Sequence, residues 1–220
     1  MSGPMGVVST KLLLAASALL LSARVDMHDL WATLDPSVPV SRVTPDIARR
    51  LKASGPADRP VTLSRGHVVG LDHEEMRLSQ IMVVPGQKPD LVIGADVLRE
   101  MALELDFRSG RLRVIERGAL RRRTERMTPI AARFSADNCL SLAGTALDGK
   151  VLNVALDGSS ARPSGTPSPV QLGAVRLTAA RPIERRRHCE ANDLVLDWSA
   201  FAGTMVILDL GDGKIWLPAA

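Results

Sequence analysis

The chain has 220 residues, of which 45% are hydrophobic and 3% are aromatic, and its formal net charge is +4 at pH 7. This length and hydrophobicity suit one bilobal unit or two small domains with a buried core, and they exclude an intrinsically disordered chain. The scarcity of aromatic side chains, with no tyrosine, argues against a protein that stacks single-stranded bases on aromatic rings. We therefore expect no nucleic-acid partner.

The first feature along the chain is an apolar run near the N-terminus. Leu12–Ala23 follows a lysine and has the length of a signal-peptide hydrophobic region, so residues 1–18 are a candidate signal or hydrophobic N-terminal segment. If residues 11–23 act as a signal, the protein is exported or membrane-associated, and otherwise it is cytoplasmic. The competing interpretation is a core strand, because Leu20–Met27 aligns with Leu142–Asp148 in the repeat described next.

The strongest signal in the sequence is an internal repeat. The segment Asp90–Leu112 matches Asp193–Ile215 without a gap, at a constant offset of 103 residues (193 − 90). Upstream, Leu30–Asp35 matches Leu152–Asp157 at an offset of 122 residues (157 − 35). Each upstream run is apolar and ends in a carboxylate. Two such copies predict two equivalent structural units and one site to which each unit contributes an aspartate.

The repeat divides the chain into two lobes. Lobe 1 covers residues 19–116 and lobe 2 covers residues 134–220. Between them, residues 117–133 are polar and basic, contain the run Arg121–Arg123 and are interrupted by Pro129, which is the pattern of a solvated linker.

Short apolar runs bounded by Asp, Gly and Pro predict mainly β-strands in each lobe. Asp148-Gly149 favours a tight turn between two strands, and Leu105–Leu112 and Leu208–Ile215 predict the same closing hairpin twice. Short helices are predicted at Pro45–Ala53, where the preceding threonine is a cap, and at Ala95–Met101. The predicted fold is therefore mainly β, with one or two short helices per lobe.

The two offsets also predict a difference between the lobes. Val61–Val84 predicts two strands that can cover a cleft in lobe 1, and the difference of the offsets (122 − 103) assigns about 19 missing residues to this region of lobe 2. We therefore expect one covering hairpin and a monomer with an internal pseudo-dimer.

The order of these features resembles the retropepsin-like aspartic peptidases of the pepsin and retropepsin superfamily. In both, an apolar strand ends in Asp, further strands follow, and an apolar-apolar-Gly run precedes a short helix and a hairpin on Asp-x-x-x-Gly-x-Leu. The resemblance covers almost the whole chain and is most specific from Asp90 to Val114. It implies two tandem acid-protease lobes related by a pseudo-twofold axis, each of which supplies one catalytic aspartate.

The same resemblance implies a set of site residues. Asp35 and Asp157 take the places of the catalytic pair, and Ser37, Ser159 and Gly94 take places at the substrate-binding loops. Two carboxylates a few ångströms apart cannot both ionise, so the pair shares one proton. One carboxylate then acts as a base on a bound water while the other donates to the carbonyl oxygen of the substrate. The implied activity is hydrolysis of a polypeptide substrate, without a cofactor and without a metal.

Both aspartate motifs depart from the Asp-Thr/Ser-Gly of that family. The first motif is Asp35-Pro36-Ser37 and the second is Asp157-Gly158-Ser159, while Asp197 stands at the position equivalent to Gly94. These departures leave a second interpretation open, in which a pseudopeptidase of the same fold binds a peptide or a partner without cleaving it.

Two further aspartates are equivalent under the offset of 103 residues. Asp106 and Asp209 each lie in a predicted hairpin turn that contains glycine, where aspartate is a common turn residue. We therefore assign both to structure and not to catalysis.

The two cysteines, Cys139 and Cys189, both belong to lobe 2. A disulfide is expected in an exported protein, and two thiols are expected in a cytoplasmic one. Neither has a second cysteine or a histidine at zinc-ligand spacing, so the sequence predicts no structural metal site.

Overall fold

The computed structural model of the chain describes residues 13–15, 18–25, 27–53, 55, 59–71, 74–134, 140–156, 166, 168–182 and 193–219. Over these residues the fold is mainly β, as predicted. The strands, numbered in chain order, are β1 (Leu13–Ala15), β2 (Ala18–Val25), β3 (His28–Leu34), β4 (Arg42–Val43), β5 (Val61–Leu71), β6 (Glu74–Val83), β7 (Leu91–Ile93), β8 (Ala102–Asp106), β9 (Arg111–Ile115), β10 (Met127–Phe134), β11 (Leu140–Ala146), β12 (Val151–Leu156), β13 (Ser168–Leu172), β14 (Val175–Pro182), β15 (Leu194–Leu196), β16 (Met205–Asp209) and β17 (Lys214–Pro218). The helices are α1 (Pro45–Arg50), α2 (Ala95–Leu98), α3 (Arg117–Thr124) and a 3-10 helix (Trp198–Phe201).

The strands of the two lobes pair in the same way. In lobe 1, β2 pairs antiparallel with β3, β3 pairs parallel with β7, and the β5–β6 hairpin joins the sheet through β2. In lobe 2, β11 pairs antiparallel with β12, β12 pairs parallel with β15, and the β13–β14 hairpin joins the sheet through β11. The internal repeat is therefore a repeat of topology as well as of sequence.

The strand register reproduces both offsets of the sequence repeat. Thr33 pairs with Val92 in lobe 1, and Ala155 pairs with Val195 in lobe 2. The offsets of these partners are 122 residues (155 − 33) and 103 residues (195 − 92). The aspartates that follow β3 and β12 thus come after strands with the same register against their parallel neighbours.

A pseudo-twofold axis passes through the antiparallel pairing of β8 with β16, which joins the lobes. Glu104 pairs with Ile207, and these two residues are equivalent under the offset of 103 residues (207 − 104). The flanking pairs, which interchange under the same offset, are Leu103–Leu208 and Leu105–Val206. With β9 beside β8 and β17 beside β16, this inter-lobe sheet is built from the two predicted closing hairpins.

The two faces of the inter-lobe sheet are covered differently. One face, with Leu103 and Leu208, packs into a main hydrophobic core that also contains buried residues of both lobes. The other face carries a small apolar cluster around Ile207, against which Leu120 of α3 packs. Because each fully buried aliphatic side chain contributes about 1.5–3 kcal/mol, the main core supplies most of the apolar stabilisation.

The segment 117–133, predicted to be a linker, forms α3 and most of β10. β10 pairs with β17 through residues 127–131 and with β11 through residues 132–134, so it carries the inter-lobe sheet into lobe 2. Ile130 and Ala132 are buried on alternate positions of this strand. The segment has the composition of a linker because its arginines are exposed, while only Ala119 and Leu120 of α3 pack on the apolar cluster of the sheet.

The hairpin predicted to cover a cleft is instead part of the body of lobe 1. Val69 pairs with Met76, and Val170 pairs with Leu177, so the hairpins of the two lobes correspond at one offset of 101 residues (170 − 69). The residues that lobe 2 lacks therefore precede its hairpin, in the place where lobe 1 has β4 and α1. The placement of the missing residues in the hairpin was wrong, because the two offsets show that residues are missing between the matched segments but not where between them.

The apolar N-terminal run enters the core from Ala18. Leu19 and Leu21 of β2 are completely buried, and β2 pairs with β3 from Leu20 to Val25. The core-strand interpretation is thus confirmed for residues 18–25, whereas residues 1–12, 16–17 and both cysteines lie outside the described residues. Across the described ranges, no helix has the length and hydropathy needed to cross a membrane.

The predicted short helices are present but shorter than expected. α1 ends at Arg50 and α2 ends at Leu98. Thr44 occupies the N-cap position of α1, but its side chain makes no capping hydrogen bond. The predicted Asp-Gly turn joins β11 to β12, with Gly149 at φ +86°.

Glu104 connects α3 to the inter-lobe sheet at the pseudo-twofold axis. Its residue exposure is 6%, its Oε2 lies 3.5 Å from Nη1 of Arg123 on α3, and its Oε1 lies 4.0 Å from Nη1 of Arg113 on β9. The two arginine side chains are about half-exposed, at 50% and 45%. The carboxylate is therefore buried while its partners remain in contact with water.

We expect Glu104→Ala to lower the free energy of unfolding by about 1–3 kcal/mol, because it leaves a void and releases α3. Glu104→Ile, which places the lobe 2 residue on both sides of the axis, should stay within about 1 kcal/mol of the original protein or exceed it. Urea unfolding of the two variants measures this difference. Equal destabilisation by both substitutions would contradict it, since the arginines would then need the carboxylate.

Candidate aspartate site between the lobes

Asp35 follows the last residue of β3 and extends the parallel pairing of that strand. Its backbone N–H donates to the carbonyl oxygen of Ile93 at 3.0 Å. Its Oδ1 accepts the backbone N–H of Ser37 at 3.0 Å and the Oγ–H of Ser37 at 2.6 Å. The residue is 5% exposed. The motif Asp35-Pro36-Ser37 therefore folds into a local turn in which the serine orients the carboxylate.

Gly94 supports the loop that follows Asp35. A Cβ atom at this position would lie 2.6 Å from the carbonyl oxygen of Val38 and 3.0 Å from the backbone nitrogen of Ser41. The Gly94 N–H donates to the Oγ of Ser41 at 3.0 Å. The glycine is needed here because the loop backbone approaches too closely for any side chain.

Ser41 and Asp96 tie the same loop to α2, and sequence reasoning missed both residues. Ser41 is fully buried, and its backbone N–H and Oγ–H donate to Oδ1 of Asp96 at 3.0 and 2.8 Å. The Ala95 N–H donates to the carbonyl oxygen of Val38 at 2.7 Å. The only sequence signal was an aspartate two places after the glycine, which is common at the start of any helix.

In lobe 2, Asp197 takes the place of Gly94 and caps the 3-10 helix. Its Oδ1 accepts the backbone N–H of Ser199 at 2.8 Å and also bonds the hydroxyl of Ser199. Asp197 is buried, at 7% exposure, so it does not lie on the surface of lobe 2. The predicted site residues Asp157 and Ser159 lie outside the described residues.

Trp198, the next residue, crosses from lobe 2 to the Asp35 strand of lobe 1. Its Nε1–H donates to the carbonyl oxygen of Leu34 at 2.9 Å, and Leu34 immediately precedes Asp35. The indole is fully buried, with ring centroids 6.2 Å from Phe107 and 6.3 Å from Phe201. This contact places the ends of β3 and β15 together at the boundary between the lobes.

Within the part of the chain that the structure describes, no three His, Cys, Asp or Glu side chains are grouped to hold a metal ion. The site chemistry available there is that of a buried carboxylate oriented by a hydroxyl group. Such a group acts as an acid, as a base or as a hydrogen-bond acceptor for a ligand.

Comparison with known proteins adds little to this description. No protein-family model matches the sequence, and no curated protein matches it. The crystal structure of the retroviral protease-like domain of Ddi1 from Leishmania major is similar over 46% of this chain and 96% of that domain, with 15% identity and a TM-score of 0.33. This TM-score is too low to define a common fold. The class of the protein, mainly β with two repeated lobes, follows from its own strand pairing.

The equivalent residues Asp106 and Asp209 are the last residues of β8 and β16, where the closing hairpins turn. Their pKa values are shifted in opposite directions from the ordinary value of aspartate. Burial opposes ionisation of Asp106, but hydrogen bonds from Ser109 and from the Arg108 N–H outweigh it and lower its pKa. Burial raises the pKa of Asp209, and the nearby charge of Asp212 adds to the rise. Both residues lie in the hairpins, as the structural assignment from sequence expected.

We expect Gly94→Ala to lower the free energy of unfolding by about 1–3 kcal/mol, because the added methyl group overlaps the carbonyl oxygen of Val38. Gly118→Ala in α3 is the matched control. Its Cβ meets no atom within 4 Å, so the helix should gain up to about 1 kcal/mol. Thermal or urea unfolding compares the stability of the two variants. A Gly94→Ala protein as stable as the original would contradict the prediction, because the loop would then accommodate the added methyl group without cost.

We expect the difference in unfolding free energy between Asp209→Asn and the original protein to favour the variant more at neutral pH than at acid pH. The raised pKa of folded Asp209 means that its contribution to stability is present below the unfolded value of about 4 and is lost as pH rises through the folded pKa. Asp106→Asn should do the reverse, because a lowered pKa stabilises above about pH 4 and the effect is lost in acid. Unfolding free energies of the two variants and the original protein, measured between pH 3 and 8, test these effects, because this range spans the ordinary pKa of aspartate. Parallel pH profiles for the two variants would contradict the assignment.

Proposed function

We propose that the chain has the two-lobed retropepsin-like fold and hydrolyses peptide bonds with a water molecule activated between Asp35 and Asp157. The observation that carries this proposal is the hydrogen bond from Trp198 to the carbonyl oxygen of Leu34. Asp157 follows β12, which pairs with β15, and Trp198 comes shortly after β15. The hydrogen bond therefore supports a meeting of the two aspartate-bearing strand ends at the boundary between the lobes.

The pseudo-twofold relation supports equal roles for the two aspartates. Asp35 and Asp157 follow strands that have the same register in the two lobes. In the proposed site the two carboxylates share one proton, so one takes a proton from water and the other donates to the substrate carbonyl oxygen. No covalent intermediate forms, and no cofactor is required. The substrate is an extended polypeptide bound between the lobes of a monomer.

Ser37 is a positioning residue in this proposal. Its two hydrogen bonds hold Oδ1 of Asp35, which fixes the plane of the carboxylate before the substrate binds. Ser159 stands two places after Asp157, as Ser37 does after Asp35, and we assign it the same role. Gly94 contributes by allowing the loop to approach, as its contacts with Val38 and Ser41 indicate.

A second candidate function is peptide binding without cleavage. It is favoured by the low exposure of Asp35 and by Pro36, which has neither an N–H nor a hydroxyl group to direct at a neighbouring loop. In this case the space between the lobes holds an extended peptide, and the aspartates only accept hydrogen bonds from it.

Cleavage of an unfolded polypeptide by the purified protein, followed between pH 3 and 7, tests the proposal over the range in which such a pair loses the proton that it shares. We expect cleavage that is fastest in acid and is blocked by a pepstatin-type transition-state mimic. Asp35→Asn and Asp157→Asn should each lower kcat by about 10²–10⁴-fold, because each removes a proton-transfer group.

Asp29→Asn is the matched control for these variants. Asp29 lies on β3 as well, but it is exposed and pairs only with the exposed Arg24 among the contacts of the described residues, so its loss should leave the rate unchanged. Cleavage that persists in both site variants would reject the aspartate pair. Peptide binding without cleavage, retained in Asp35→Asn, would instead establish the binding function.

A further inference from the structure

We propose that Trp198 is an inter-lobe positioning residue that sets the orientation of Asp35. This inference rests on the proposed function for its catalytic consequence, although the contact itself does not depend on catalysis. The indole belongs to lobe 2, whereas the aspartate that it orients belongs to lobe 1.

A single peptide group is held from both sides at this point. The peptide that joins Leu34 to Asp35 donates its N–H to the carbonyl oxygen of Ile93 at 3.0 Å, within lobe 1. Its carbonyl oxygen accepts the Nε1–H of Trp198 at 2.9 Å, from lobe 2. Because the peptide is planar, two bonds on opposite sides fix its tilt and therefore the direction in which the Asp35 side chain leaves the backbone.

The indole itself has no freedom to move away. It is completely buried and forms a three-ring cluster with Phe107 of the lobe 1 closing hairpin and Phe201 of its own 3-10 helix. A buried indole N–H needs an acceptor, and the Leu34 carbonyl supplies it. The capping bonds from Ser199 to Asp197 hold the start of the helix that carries the indole.

The equivalent position of lobe 1 cannot make the same hydrogen bond. The residue equivalent to Trp198 in lobe 1 is Ala95, at the offset of 103 residues (198 − 95), and a methyl group cannot donate a hydrogen bond. Pro36, beside Asp35, offers no N–H either. Trp198 therefore makes the geometry of Asp35 depend on the position of lobe 2, whereas Ala95 cannot make the matching hydrogen bond to lobe 2.

Trp198→Phe tests the inference because phenylalanine keeps an aromatic ring but removes the N–H. We expect kcat to fall by about 5- to 100-fold and the pH profile of cleavage to shift, with KM changed less than about twofold. Phe201→Leu is the control, since it loosens the same aromatic cluster and leaves the hydrogen bond. At an equal folded fraction, its pH profile should match that of the original protein. Equal pH profiles for Trp198→Phe and the original protein would overturn the inference, even where Asp35→Asn abolishes cleavage.

Hydrogen exchange of the indole N–H provides a readout that needs no cleavage. The resonance that disappears in Trp198→Phe should exchange slowly in the ¹⁵N-labelled original protein, whereas the half-exposed Trp31 indole, at 48%, should exchange fast. The chemical shift of the Trp198 indole resonance should also change with pH, and Asp35→Asn should remove that change. Fast exchange at Trp198, or a pH response unaffected by Asp35→Asn, would overturn the inference.

These two measurements separate the inference from the proposed function. If the original protein cleaves nothing, the proposed hydrolysis fails and the exchange data alone decide the role of Trp198. If Trp198→Phe does not fold, Trp31→Phe and Trp216→Phe identify the Trp198 indole resonance by elimination, and its exchange and its response to Asp35→Asn decide the role of Trp198 in the same way.

Discussion

The antiparallel pairing of β8 with β16 is the constraint on which the rest of the structure depends. Each closing hairpin alone would expose an unpaired strand edge, and the hydrogen bonds between these two edges remove that liability for both lobes at once. The pair Glu104–Ile207 lies at the axis, so β8 and β16 occupy equivalent places in the two lobes. The shared core on one face of this sheet then prevents the lobes from separating.

The backbone keeps the twofold relation while the side chains at key positions break it. Glu104 faces Ile207 at the axis, Gly94 corresponds to Asp197, and Ala95 corresponds to Trp198. This combination is physically reasonable because ladder hydrogen bonds use main-chain groups and tolerate any side chain that fits its face. Each asymmetric position has a specific contact: α3 at the axis, the capped 3-10 helix in lobe 2, and the indole that reaches Leu34.

Much of the fold could be predicted from sequence because the repeat is local in character. Short apolar runs and glycine-containing turns are recognisable within one copy, and comparison of the two copies gives the offsets, which the strand register reproduced at Thr33 and Ala155. The role of 117–133 could not be predicted, because an arginine-rich helix and a strand that contains Pro129 have the composition of a loop. Only their partners on the inter-lobe sheet reveal them as structure.

The sequence by itself determined that the chain is a mainly β protein in two copies, and it located Asp35 and Ser37 at the end of an apolar strand. Tertiary structure alone decided how that aspartate is held. The bond from Trp198 to Leu34 joins residues 164 positions apart, and the bonds from Ser41 to Asp96 span 55 positions. Such contacts produce no local pattern in the sequence. Each one depends on two distant segments that meet only in the folded protein, and not on the neighbouring residues in the chain.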